Sequence, residues 1–446
     1  MKAFVFSEKG HIELRELPAP VLEQNKAAIL KPRFLSPCSS DVHTVYAGPG
    51  PRRDNLILGH EGIAEVVEVG SGVRDFQPGD LVAVSAVMPD EPGGHGHEGA
   101  HFSGTKLGRN IDGMWAERFK VPDADRQLVL LRRGAVSAGA GYPAAEGTSE
   151  NAEPAAAQGL KSENARPAGK PDLKYGKIPM EAALMAVDMM ATGFTAAEKA
   201  EIRPGDSVLV IGSGAVGLMA IAAAKAMGAG SIYCIGTPRN EAAVRLARKY
   251  GAEVYISYRD GSLIFTEKEE PARDNAEGQQ GSTEGLAAAI QGRPGNTARD
   301  PRANAAGHPA VDTVLDLTRE EGVDRVLICG GDASSLIWAS DVVKYGTGRV
   351  VNVAYLEGSG MVELPIFSLG RGMAGKTFCF TLSNGGRDWT EKMLDFILED
   401  AVDPAPLVTH HLTGFESIPK ALKMMRDRPA GMIKIMVDVG DVGDVR

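Results

Sequence analysis

Ser207-Val208-Leu209-Val210-Ile211-Gly212-Ser213-Gly214-Ala215-Val216-Gly217 is the stretch that decides the fold class of this chain. Its first five residues read as a buried strand, three glycines follow at G-x-G-x-x-G spacing, and Leu218 to Met227 reads as a helix. Strand, glycine turn and helix in that order are what a dinucleotide-binding unit requires. Gly212 permits the tight turn, Gly214 lets backbone approach a pyrophosphate, and Gly217 allows the helix to lie close on the strand. The helix N-terminus then offers amide donors to an anion.

Immediately downstream, Ser231 to Ile235 reads as a second strand ending in Gly236-Thr237-Pro238-Arg239-Asn240. An NAD site places an acid there, on the ribose 2′-hydroxyl. No carboxylate occurs from Gly212 to Asn240, and Arg239 with Thr237 can hydrogen-bond a 2′-phosphate, so the expected cofactor is NADP. From Ser207 to about Val353 strands alternate with helices, the signature of a parallel sheet. Residues 1 to 130 instead carry short β-type runs, such as Ile63-Ala64-Glu65-Val66-Val67-Glu68-Val69 and Leu81-Val82-Ala83-Val84, between Gly and Pro turns. The tail returns to mixed structure, with a helix expected over Glu391 to Leu398 and a strand over Met432 to Val439.

Two segments break this pattern. From Gly134 to Asp172, 21 of 39 residues are Ala, Gly or Pro. Thr266 to Ala310 opens on Glu267-Lys268-Glu269-Glu270 and offers only Leu286 and Ile290 as large apolar anchors. Neither buries enough surface to offset its ordering entropy, so both are expected to be disordered or loosely held insertions, the alternative being a short helix in each, for instance around Leu286 to Ile290. Without them the 446 residues come close to two ordinary domains.

The net charge of −10 argues against a general nucleic-acid binder. Cys38, Cys234, Cys329 and Cys379 lie too far apart for a four-cysteine zinc lobe or a disulfide framework, which points to a reducing cytoplasm. The N-terminus reaches Glu8 too early for a signal peptide, and the apolar run Leu209 to Ala224 is too short to span a bilayer.

The residues that carry chemistry lie nearer the N-terminus. Ser36-Pro37-Cys38-Ser39-Ser40-Asp41-Val42-His43 is followed by Leu58-Gly59-His60-Glu61-Gly62. A cysteine and a histidine suit Zn²⁺, which in catalytic sites takes three protein ligands and keeps one position open. Alone, a pair this far apart is more often a buried thiol and a satisfied histidine.

Together with Val187-Asp188-Met189-Met190-Ala191-Thr192-Gly193-Phe194 and the glycine motif, these segments resemble the zinc-dependent medium-chain alcohol dehydrogenases, and most closely their bacterial NADP-dependent secondary-alcohol subgroup. The likeness extends to Val121-Pro122-Asp123-Ala124-Asp125, Tyr355 and Ile433-Lys434 and covers nearly everything outside the two insertions. It implies a GroES-like β-rich catalytic domain (1–190 and 383–446) and a doubly wound Rossmann domain (191–382). Cys38, His60 and Asp188 match the catalytic zinc ligands, Glu61 a carboxylate that can approach the metal, and Ser40 and His43 the groups that pass the alcohol proton toward solvent. Gly212, Gly214, Gly217, Gly236, Thr237, Arg239, Tyr258, Tyr355 and Lys434 are the expected cofactor residues. Val87, Tyr355 and Leu382 are expected at or near the substrate pocket.

Two departures stand out. The family's arginine beside the 2′-phosphate is Pro238 here, its cation moving to Arg239, and a family glycine is Ala64. His95, His97 and His101 are expected in an exposed glycine-rich loop rather than a second metal site, and His410-His411 on a surface or interface. The resemblance thus implies reversible oxidation of small secondary alcohols with NADP and one zinc ion, in a homotetramer. A polyol or amino-alcohol dehydrogenase and a non-catalytic NADP-binding sensor are the alternatives.

Overall fold

The computed structural model describes residues 1–47, 54–88, 105–134, 174–266, 307–356 and 361–440. His95, His97 and His101, and nearly all of both expected insertions, lie outside these residues. The borders of the insertions do not. Gly134 donates its N–H to Asp80 at 3.0 Å. Thr266 closes the strand Leu263–Thr266, and Pro309 opens the helix Pro309–Leu317 behind the N-cap residue His308. Proline is at home there because a first-turn N–H has no intrahelical partner, so 309 and 310 belong to the fold rather than to an insertion.

The strand Ser207–Ile211 stands where its sequence predicts, in the middle of a seven-stranded sheet. On one side it pairs in parallel with Ser231–Gly236, which pairs with Val254–Ser257. On the other come Arg325–Ile328, Arg349–Asn352 and Thr377–Phe380, also parallel. Leu263–Thr266 adds one antiparallel edge strand. The chain order reverses at Ser207–Ile211, and in such sheets ligands bind at that switch point, beyond the carboxyl ends of the strands. The following helix is Ala215–Ala226, so it begins inside the glycine motif rather than at Leu218. Gly214 is extended and caps it, which leaves only Gly212 to Gly214 as the turn.

The N-terminal half and the tail share a second seven-stranded sheet. Its main path runs Val408–Thr413, Lys434–Asp438, Ala28–Ser36, Glu61–Val69, Leu81–Val84 and Leu128–Arg132, with Phe119–Val121 paired beside Ala28–Ser36. Pro32 lacks an N–H, and the ladder slips between Pro32 and Phe34. Ala64 faces Pro32 and is buried without disturbing the strand. The tail strand begins at Lys434, two residues later than expected, while the tail helix starts earlier, at Gly386, after Gly385 turns the chain at a φ of 62°. His410 is half-buried and His411 exposed on the strand Val408–Thr413.

One helical run joins the two halves. Met180–Met185, a π-helical turn Ala186–Met190 and Ala191–Lys199 follow one another without a break. A Cβ on Gly193 would stand 2.7 Å from the Ala220 amide nitrogen, so this run lies directly against the helix Ala215–Ala226.

Candidate active site

Cys38 caps the short helix Ser39–Val42 and donates its N–H to Asp41 Oδ2 at 2.9 Å. Asp41 Oδ1 lies 3.3 Å from His60 Nδ1. This orients the imidazole and leaves Nε2 facing Asp188 Oδ2, 3.3 Å away. Asp188 comes from the π-helical turn, a distortion that re-aims side chains and is common at functional sites. Its other oxygen accepts the Thr192 hydroxyl at 2.9 Å, and Cys38 Sγ lies 3.9 Å from Oδ2. Gly59, at a φ of +87°, sets His60 in place, because a Cβ there would fall 2.1 Å from the Trp115 ring.

Cys38, His60, Glu61 and Asp188 are all buried, and one donor atom from each falls within 4.8 Å of the others. Glu61 Oε1 takes the Lys434 ammonium at 2.8 Å, while Oε2 is buried without a partner. An orphaned carboxylate oxygen is costly inside a protein, and a cation among these donors would satisfy it. Thiolate, imidazole and carboxylate are ligands that zinc accepts, so the residues fit the ion. Burial pushes the Glu61 carboxyl upward and Lys434 opposes it, leaving it raised to about 7. Burial also opposes ionisation of Asp188, but His60 beside it outweighs that and holds the carboxyl far below its ordinary range.

A cavity of about 1190 Å³ runs from this cluster to the glycine motif. At its far end the space beside Gly214 is open, as backbone close to a ligand requires, whereas Gly217 does not line the cavity and packs on the turn, where a Cβ would meet the Gly212 carbonyl oxygen at 1.8 Å. Tyr255 donates its hydroxyl to Ser213 Oγ at 2.7 Å, fixing the turn. Gly236, Thr237, Arg239 and Tyr258 line the same end. Among the described residues the acids lining the cavity are Asp41, Asp188 and Asp332, so no carboxylate from the Gly236 to Asn240 turn faces it.

Comparison with known proteins matches residues 24–132 to the alcohol dehydrogenase GroES-like domain and 215–271 to the zinc-binding dehydrogenase family. The NADP-dependent isopropanol dehydrogenase of Thermoanaerobacter brockii is 34% identical, covering 98% of this chain and 99% of its own. The chain belongs to the zinc-dependent medium-chain alcohol dehydrogenases. The isopropanol dehydrogenase of Clostridium beijerinckii is also 34% identical, over 92% of each chain. Among solved structures, an alcohol dehydrogenase from Thermus sp. ATN1 superposes with a TM-score of 0.67 at 23% identity, covering 99% of this chain and 100% of its own. The 2R,3R-butanediol dehydrogenase of Bacillus subtilis gives 0.64 at 20%, covering 98% and 99%. At those identities the likeness concerns the fold.

In this alcohol dehydrogenase the expected metal residues and Ser40 come together, Ser40 Oγ lying 3.3 Å from His60 Nε2. The His43 ring stacks on Tyr355 with centroids 4.8 Å apart, and both line the cavity. Leu382 lines it too, whereas Val87 does not. Lys434 lines it as a fully buried residue, with its ammonium on Glu61 and on the Pro37 carbonyl at 2.8 Å each, beside the donor cluster. Asp41, Thr192, Lys106 and Arg428 also line the cavity, beyond the residues expected there. Asp41 carries a signal, the capping-box spacing from Cys38. Lys106 and Arg428 line the cavity from distant segments, where nothing in the local pattern marks them.

Proposed function

We propose that this alcohol dehydrogenase interconverts small secondary alcohols and ketones with NADP, with Cys38, His60 and Asp188 holding one zinc ion. The observation that carries the reading is a single cavity with a buried thiol, imidazole and carboxylates at one end and a glycine motif free of 2′-side acids at the other. When bound, zinc supplies Lewis acidity toward the substrate oxygen, and NADP accepts or returns the hydride.

The chain's own residues do the rest. Asp41 keeps the His60 Nδ1–H engaged, so Nε2 stays available as a ligand. Lys434 holds Glu61 Oε1 and leaves Oε2 as the oxygen able to approach a cation. Ser40, next to His60, exchanges the substrate proton, and His43 carries it on. Arg239, Thr237 and Tyr258 receive the 2′-phosphate, while Gly212, Gly214 and Gly236 admit the rest of the nucleotide, Gly217 keeps the helix close on the glycine turn, and Tyr355 closes the wall behind His43. Residues 1–190 with 383–446 form the unit that holds the metal donors, and 191–382 the nucleotide unit. We also take the enzyme to be a cytoplasmic homotetramer, a reading supported by four unbridged cysteines and by the resemblance.

Zinc analysis together with oxidation of 2-propanol and 2-butanol, using NADP and NAD in parallel, tests the proposal. One zinc per chain and a marked NADP preference are expected. Full activity in Cys38→Ser, or after exhaustive chelation, would falsify it.

A further inference from the structure

Lys106 sits in the short strand Thr105–Lys106, paired with Val87–Met88, and is half-buried on the cavity wall. Its Nζ donates to Ser40 Oγ at 3.4 Å, and among the described residues no carboxylate lies within ion-pair distance of it. From the same segment Arg109 donates to Thr44 Oγ1 at 3.1 Å, and Thr44 Oγ1 donates to the Ser40 carbonyl oxygen at 2.9 Å. The segment therefore reaches Ser40 at its hydroxyl directly and at its backbone through Thr44.

A serine hydroxyl has one proton and two acceptor lone pairs, and an ammonium can only donate. Lys106 takes one lone pair. His60 Nε2 is the other neighbour, but its lone pair is the one Asp41 leaves for an ion, and a nitrogen so engaged cannot accept the Ser40 proton. The hydroxyl proton is left to face the substrate oxygen.

We propose that Lys106 is a positioning residue for proton transfer: it fixes the Ser40 hydroxyl so that its proton points at the substrate oxygen, and it places a positive charge beside the serine oxygen. The inference rests on the alcohol and NADP reading above. In ketone reduction the NADPH hydride forms the new C–H bond, the Ser40 O–H proton passes to the substrate oxygen, and the serine oxygen recovers a proton from the solvent side. Alcohol oxidation runs the same transfers in reverse. Lys106 takes no part in the transfer itself and stabilises the serine oxygen while the Ser40 proton is shared.

The test compares Lys106→Met, which keeps the length and removes the donor and charge, with Lys106→Arg, which keeps both. Steady-state 2-butanone reduction and 2-butanol oxidation are measured alongside zinc content and zinc retention against a chelator. Lys106→Met is expected to lower kcat by roughly 10- to 100-fold in both directions, within the range for positioned proton transfer, while KM for alcohol and NADP stays within about threefold. Lys106→Arg should return most of kcat. Zinc should be held as tightly as in the wild type or more so, because a like charge near the ion has gone. An unchanged kcat in Lys106→Met would overturn the inference, and so would a loss of rate that tracks a loss of zinc, which marks a merely structural role. A wild-type chain that holds zinc and NADP yet turns over no secondary alcohol would sink the parent reading as well. Wild-type turnover with an indifferent Lys106→Met sinks only this one.

Discussion

Asp41 shows how much one side chain can settle. It caps Cys38 through Oδ2 and receives His60 Nδ1 through Oδ1, so the two outermost expected ligands of the N-terminal motifs share one orienting carboxylate. Asp41→Asn keeps the shape and removes the charge behind the imidazole. Zinc affinity should fall about tenfold, read by competition with a chromogenic chelator, with the folded structure retained. At the other end of the cavity Arg239 is an exposed cation on the wall. Arg239→Ala should raise KM for NADP about tenfold and leave KM for NAD nearly unchanged, since only the 2′-phosphate loses a charge-assisted hydrogen bond. Equal effects on both cofactors would place Arg239 elsewhere on the nucleotide.

Elements follow their local pattern where neighbours in the chain determine backbone conformation. Ser207–Ile211 and Leu81–Val84 form over the residues their apolar runs mark, and the Pro32 bulge follows from a missing donor. Boundaries moved where tertiary packing or capping decides: Gly385 starts the tail helix early, and His308 with Pro309 starts another inside a segment whose composition reads as an insertion. The π-helical turn at Ala186–Met190 has no sequence signature of its own, and it is the element that carries Asp188. Just beyond it, the backbone of the helix Ala215–Ala226 leaves no room for a side chain on Gly193. Gly193→Val should therefore destabilise the protein by about 2–3 kcal/mol, seen as a lower midpoint in urea unfolding with an unchanged slope. A neutral result would mean that the two helices separate freely.

On the scale of the whole molecule the donor cluster is a joint. Cys38, His60 and Glu61 belong to the N-terminal sheet and its flanking helix, whereas Asp188 rides on the run that packs against the first nucleotide-unit helix. An ion held by all four ties that helical run to the N-terminal sheet, and its removal leaves buried carboxylates facing one another. Chelation should lower the thermal midpoint, and added zinc should restore it. Saturation at about 1,000 times Kd corresponds to about 4 kcal/mol. An identical midpoint with and without metal would show that the cluster folds as well empty as filled.

From the sequence alone came the dinucleotide-binding unit, the β-rich half, the absence of an acid after the second nucleotide strand, and the residue types suited to zinc. These are properties of short stretches, where side-chain size, glycine freedom and residue spacing act within a few positions of one another. Only the tertiary structure decided that Asp188 Oδ2 lies 3.3 Å from His60 Nε2, that Lys434 neutralises Glu61, and that Lys106 reaches Ser40. Those pairs join segments far apart in the chain, and what brings them together is strand register, a helix distortion and the burial of two apolar sheets, none of which a local pattern encodes.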